Sequence, residues 1–238
     1  MAQVLSLGSC IVEVREPQGP PTRTLILLPG WNYSREAWCK QSRVCAEALR
    51  RGYRLLLFDM GKSIYASAIF PETRPDWRAY PTLRTLLDTV LPELKRRQLL
   101  LPKGNFLLGL STGGRGVVML LAHTGTLFQG GAALSGDFDP HLDPRDPLLR
   151  GWYGPYSERW DTVDNPLRLA ARLQAPLFLA HGIADKVVPY QHTQRLYETL
   201  RQAHPTLPVQ IHLDPIGGHD FPFWEKYAFQ ALDFFDTL

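Results

Sequence analysis

The sequence predicts an α/β fold, a mostly parallel sheet with helices on both faces, and three observations carry that prediction. Short apolar runs alternate with longer helical patterns, as they must when parallel strands are joined by crossover helices. The 238 residues are 45% hydrophobic, which suits one large core. No internal repeat or low-complexity tract interrupts the pattern, so a single domain over residues 1–238 is expected.

Taken in order, IVEV (Ile11 to Val14) and TLILL (Thr24 to Leu28) flank the turn-forming PQGPP and suggest an N-terminal hairpin. Ser34 is placed to cap a helix running to about Arg51, with Trp38, Val44, Cys45, Ala48 and Leu49 at helical spacing. YRLLLF (Tyr53 to Phe58) is apolar almost throughout and suits a strand buried on both faces. Leu83, Leu86, Leu87, Val90, Leu91 and Leu94 trace a helical stripe that Pro92 should kink. NFLLGL (Asn105 to Leu110), GAALSG (Gly131 to Gly136), APLFLA (Ala175 to Ala180) and VQIHL (Val209 to Leu213) supply further strands. Helices are expected after the first and third of these, and another from about Phe223 to the C-terminus.

Composition excludes several classes. A net charge of +3 without any run of Lys and Arg interleaved with aromatics gives no footprint for nucleic acid. No apolar run approaches the roughly 18 residues of a membrane span, and MAQVLSLGSC lacks a signal peptide's cationic and apolar regions, so a soluble cytoplasmic protein without a membrane partner is expected. Cys10, Cys39 and Cys45 are odd in number and are expected to be buried or free thiols in a reducing compartment. Cys39 and Cys45 have no second Cys or His pair at metal spacing, so no metal is expected. DMGKS (Asp59 to Ser63) fails as a phosphate-binding loop because Leu56 holds the position of the first required glycine.

In a parallel sheet, functional groups gather outside the carboxyl ends of the strands. GLSTGGRG (Gly109 to Gly116) lies at such an end, between the strand NFLLGL and the helical VVMLLAH. Its G-x-S-x-G places Ser111 on a tight strand-to-helix turn, where side chains at Gly109 and Gly113 would collide with neighbouring backbone. A serine hydroxyl is a weak nucleophile and needs a base that is itself held by a carboxylate. HGIADKVVP places Asp185 just after APLFLA, and DPIGGHDFPFW places His219 just before the last helix. His123, His141, His181, His192, His204 and His212 have no comparable context and are expected to be structural or exposed. Asp137 and Asp139, in LSGDFD, are the competing positions for the acid, and Asp185 is preferred because its loop can meet that of His219. The backbone N–H groups of Thr112 and Trp31 are the candidate oxyanion donors, with Gly30 permitting close approach.

These residues resemble the esterase D branch of the α/β-hydrolases, which includes S-formylglutathione hydrolases and tributyrin-type or feruloyl-type carboxylesterases. GLSTGGRGVVMLLAHTGTLFQGGAALSGDFD is similar to that family's elbow, helix and following strand, DMGKSIYAS to its early loop, and GGHDFPFW to its histidine loop. The resemblance implies the α/β-hydrolase fold, a triad of Ser111, Asp185 and His219, and ester hydrolysis without a cofactor. The sequence departs from the family where Trp31 and Asn32 follow Pro29 and Gly30, a place where the family commonly has His-Gly and small residues.

Residues 137–165 form an irregular stretch rich in Asp and Pro, where this fold carries a cap. It has no long amphipathic helix, so a short partial cover is expected. Trp152 and Tyr153 from it, with Phe221 and Trp224 from the last helix, are the candidate walls of a substrate pocket. The expectation is a serine carboxylesterase acting on small esters of short acyl chains; a thioesterase, a peptidase and a catalytically silent binding module stay open as alternatives.

Overall fold

The computed structural model describes residues 2–77, 79 and 82–238. An eight-stranded sheet runs in the order β1-β2-β4-β3-β5-β6-β7-β8, with β1 (Gln3–Leu7), β2 (Cys10–Arg15), β3 (Arg23–Leu28), β4 (Tyr53–Phe58), β5 (Asn105–Leu110), β6 (Gly130–Leu134), β7 (Leu177–Gly182) and β8 (Val209–Asp214). Pairing is parallel from β4 through β3 to β8 and antiparallel at the β1–β2 and β2–β4 contacts. Every residue of β5 is buried, as two-sided coverage of a central strand requires.

The hairpin expected around PQGPP is not formed. IVEV does lie in β2, but β2 pairs with β1 and β4, while TLILL runs parallel between β4 and β3's other neighbour, β5. The buried side chains of β3 demand a central place, and the real hairpin is β1–β2, turned at Gly8 with a φ of 62°. The single helix expected from Ser34 is also two: α1 (Ala37–Gln41) and α2 (Val44–Arg50). Ser42, extended between them, donates its hydroxyl to Trp38 O at 2.5 Å and accepts from Val44 N at 3.4 Å, competing with the helical ladder. Arg43 N donates to Glu225 at 2.6 Å, fixing the break against the C-terminal helix.

Cys39 and Cys45 are joined in a disulfide across this break, while Cys10 is buried and lies outside it. The expectation of buried or free thiols at all three cysteines is therefore corrected for this pair, and with it the argument from cysteines for a reducing compartment. The two residues lie six apart, and the bend at Ser42 brings their Cα atoms to 5.1 Å.

The leucine stripe forms α3 (Thr82–Thr85), a wide π turn over Leu86–Val90, and α4 (Leu91–Arg96). Leu91 N–H reaches back five residues to Leu86 O just ahead of Pro92, which has no N–H to offer, so the proline is absorbed by a local change of helical pitch. Next come α5 (Thr112–Thr124), α6 (Pro147–Tyr153), α7 (Glu158–Thr162), α8 (Pro166–Leu169), α9 (Gln191–Ala203) and α10 (Phe221–Asp236). One large apolar cluster packs α5, α9 and the leucine stripe on one face of the sheet; a second packs α1, α2 and α10 on the other. A third, smaller cluster joins Ile64, Ala66 and Trp77 to Leu149, Trp152, Tyr153 and Trp160. Among the described residues no helix is long and apolar enough to cross a membrane.

Candidate active site

The site is built by one turn. Ser111 follows β5 and precedes α5 with a φ of 53° and a ψ of −126°, a strained conformation for a residue with a Cβ. The turn closes because both flanking glycines lack a side chain. A Cβ on Gly109 would lie 2.1 Å from Gly113 O, and one on Gly113 would lie 2.4 Å from Leu28 O. Ser111 N donates to Leu134 O at 2.8 Å, and Ser111 O accepts from Gly114 N at 2.8 Å, so the turn is held by β6 on one side and by its own helix on the other.

Around Ser111 the structure brings two distant loops into hydrogen-bonding range. His219 Nε2 lies 3.0 Å from Ser111 Oγ, and His219 Nδ1 lies 2.6 Å from Asp185 Oδ2. The carboxylate can only accept, so Nδ1 carries a proton and Nε2 faces the hydroxyl as an acceptor. Asp185 is fully buried at its side chain, and its Oδ1 accepts from Val187 N at 2.8 Å and Val188 N at 2.9 Å. Burial alone would push this carboxyl up; hydrogen bonds from His181 and His219, the His219 charge and the Val188 N–H outweigh it and hold the carboxyl well below the usual range. Asp137 and Asp139 are engaged elsewhere: Asp137 sits 3.3 Å from Arg115, and Asp139 accepts from Arg195 at 2.5 Å and from His141 N at 2.9 Å.

The loop after β3 packs directly on the nucleophile. A Cβ on Gly30 would stand 3.1 Å from Ser111 Cβ, which leaves Trp31 beside the elbow. Tyr65 OH donates to Pro29 O at 3.0 Å and Asn32 N donates to Gly61 O at 2.9 Å, fixing this loop from both sides. The half-buried Trp31 ring meets Trp77 edge-on at 4.5 Å between centroids. Thr112, whose N–H was the other candidate donor, is the first residue of α5.

The four candidate pocket residues are placed differently from expectation. Trp152 and Tyr153 are buried in the third cluster, with Trp152 Nε1 donating to Ala68 O at 3.0 Å and Tyr153 OH to Asp164 at 3.1 Å. They bind residues 137–165 to the stretch after β4 and are closed to solvent, so they are not free pocket walls. Phe221 and Trp224 are also buried, and Trp224 backs the histidine, its ring meeting His219 edge-on at 5.0 Å while its Nε1 donates to Ser135 Oγ at 3.1 Å. A tryptophan next to a strand reads only as core in sequence, whereas its position behind the imidazole is a tertiary fact. Arg115 was missed altogether: it is 1% exposed and donates to Ile64 O, Asp137 and Asp164 O, tying three loops to α5. Nothing in RGVVM marks that arginine as buried.

A mixed sheet of this order, with a serine on the elbow after β5 and an acid and a histidine after β7 and β8, defines an α/β-hydrolase, here a serine hydrolase. Residues 89–236 match the prolyl oligopeptidase family, Peptidase_S9, and the chain belongs to it. Comparison by sequence with curated proteins gives no match. Among solved structures, the chain is similar to the fluorophosphonate-binding serine hydrolase FphF of Staphylococcus aureus, with a TM-score of 0.79 at 19% identity over 99% of this chain and 97% of that one. It is similar to an S-formylglutathione hydrolase of Agrobacterium tumefaciens, with a TM-score of 0.78 at 15% identity, covering 98% and 93% of the two chains. A third likeness, with a TM-score of 0.76 at 14% identity, is to the acylaminoacyl peptidase of Pyrococcus horikoshii, where 99% of this chain spans 41% of the peptidase.

Proposed function

We propose that the protein is a serine carboxylesterase that hydrolyses esters of short acyl chains through an acyl-enzyme. The observation that carries this reading is the hydrogen-bonded chain from Asp185 through His219 to Ser111 on a strained elbow. Ser111 Oγ attacks the ester carbonyl while its proton passes to His219 Nε2, and the negative charge on the former carbonyl oxygen is met by the N–H groups of Thr112 and Trp31. The imidazolium then gives its proton to the departing alcohol, and water repeats the sequence to release the acid. Asp185 orients the ring and stabilises its charge without taking the proton. The Gly30 loop packed against Ser111, followed directly by Trp31 with its ring held edge-on by Trp77, supports a small acyl site.

The family match favours a second reading, peptide-bond cleavage by the same machinery. One panel separates the two: 4-nitrophenyl esters from acetyl to dodecanoyl, acyl thioesters and aminoacyl 4-nitroanilides, each assayed with the native protein and with S111A. Esters from acetyl to butyryl are expected to give the highest kcat/KM, with S111A several orders of magnitude slower. Rising kcat/KM through about ten carbons would refute the short-chain assignment, and faster anilide than ester turnover would favour the peptidase.

A further inference from the structure

His181, the last residue but one of β7, lies four positions before Asp185, and none of its side chain is exposed. Its Nε2 lies 2.9 Å from Val188 O and 3.3 Å from Asp185 Oδ2, and its Nδ1 lies 2.7 Å from Thr193 Oγ1 on α9. Val188 O can only accept, so Nε2 carries a proton whichever way the Thr193 hydroxyl is turned. That proton is given to Val188 O, and Asp185 Oδ2, the oxygen that receives His219 Nδ1–H, lies at the longer 3.3 Å from the same nitrogen.

From this geometry we infer that His181 is a positioning residue for the triad: its N–H holds Val188 O, Val188 N–H in turn holds Asp185 Oδ1, and the polar edge of the His181 ring stands close to Oδ2. This role rests on the serine-hydrolase reading of the site. A buried carboxylate has four lone-pair directions to fill, and losing a donor to any of them costs orientation as well as charge stabilisation. Here Val187 and Val188 N–H occupy Oδ1, His219 occupies Oδ2 from the β8–α10 loop, and His181, bonded to Val188 O, brings a polarised hydrogen within longer reach of Oδ2. Thr193 in turn locks the His181 ring. The other titratable group beside it, His192 on α9, is depressed to about 4 chiefly by burial and brings no charge near neutrality. The carboxylate is thus held by its own loop, by the sheet and by its catalytic partner, and only the last of these was evident from the chain order of the triad.

Three variants test the role: H181L removes the donor, T193V removes the lock without changing shape, and H181Q retains an N–H near the position of Nε2. The primary readout is the NMR titration of the His219 ring, which needs no substrate and so remains informative even if the ester reading fails. Without the His181 donor the Asp185–His219 pair holds its proton more tightly, so the His219 midpoint should move to higher pH by about half a unit or more in H181L. T193V should move it the same way by less, and H181Q should restore most of it. On the ester that the native protein turns over best, kcat should fall about tenfold or more in H181L with KM within about twofold. If H181L does not fold, T193V and H181Q carry the comparison. A His219 midpoint unmoved in the folded variants, or a lowered melting temperature with an unmoved midpoint, would make His181 a packing residue and overturn the inference. A native protein that titrates as expected but hydrolyses no ester would instead count against the proposed function alone.

Discussion

Replacing Gly109 by alanine tests whether the elbow depends on the missing side chain. The new methyl carbon would stand 2.1 Å from Gly113 O and 2.4 Å from Gly113 C, where ordinary contact begins at 3.4 Å. The overlap exceeds roughly 1 Å, and both atoms belong to backbone that cannot rotate aside. Gly113 has no room to retreat, because its own Cβ direction is closed by Leu28 O at 2.4 Å. Overpacking of this kind costs about 1–3 kcal/mol or more. In a chain of this size each kcal/mol moves Tm by about 2–4 °C, so a fall of about 2–12 °C is expected. The relief available is a shift of the first turn of α5, which carries Ser111 away from His219; a misplacement of about 1 Å costs on the order of 100-fold in rate. Thermal melts followed by circular dichroism, together with kcat/KM on a short-chain ester, measure both effects, and S111A serves as the variant that loses chemistry without overlap. A G109A protein melting within about 2 °C of the native one and retaining most of its activity would refute the steric account of the elbow.

Asp185→Asn should lower kcat by up to about 10⁴-fold, while Asp139→Asn, whose carboxylate meets Arg195 rather than His219, should cost less than about tenfold; steady-state kinetics on one ester decide between the two acids. His192 accepts Phe138 N and Asp139 N at its Nδ1, and burial first of all depresses it to about 4 from an ordinary value of 6.5. A depressed histidine contributes stability above its unfolded value that is lost as pH falls through the folded one, about 3 kcal/mol between pH 6.5 and 4. Denaturant melts of H192N, which keeps an acceptor in place of Nδ1 but does not titrate, should therefore fall less steeply over that window than those of the native protein; equal slopes would count against the assignment. Opening the Cys39–Cys45 loop with C39S/C45S should cost about 2 kcal/mol, read from urea midpoints, by freeing a short loop in the unfolded chain.

The sequence by itself determined the parts whose causes are local. A serine between glycines at a strand-to-helix join already implies Ser111, since only that pattern permits so tight a turn, and the apolar runs of β5 through β8 mark buried strands by composition alone. Asp185 and His219 followed from their places just beyond the seventh and eighth strands, because loops at the carboxyl ends of adjacent parallel strands must meet. Only the tertiary structure decided where β3 pairs, because its apolar residues are equally compatible with a hairpin or a central strand, and burial between β4 and β5 settled the choice. The same holds for the break at Ser42, where Glu225 from the far end of the chain anchors Arg43 and the bend then brings two cysteines together. The roles of Arg115, His181, Trp152 and Trp224 were beyond sequence for a common reason. Each is set by what a side chain meets from a distant segment, and residue type fixes only what it can bond, not which partner the fold delivers.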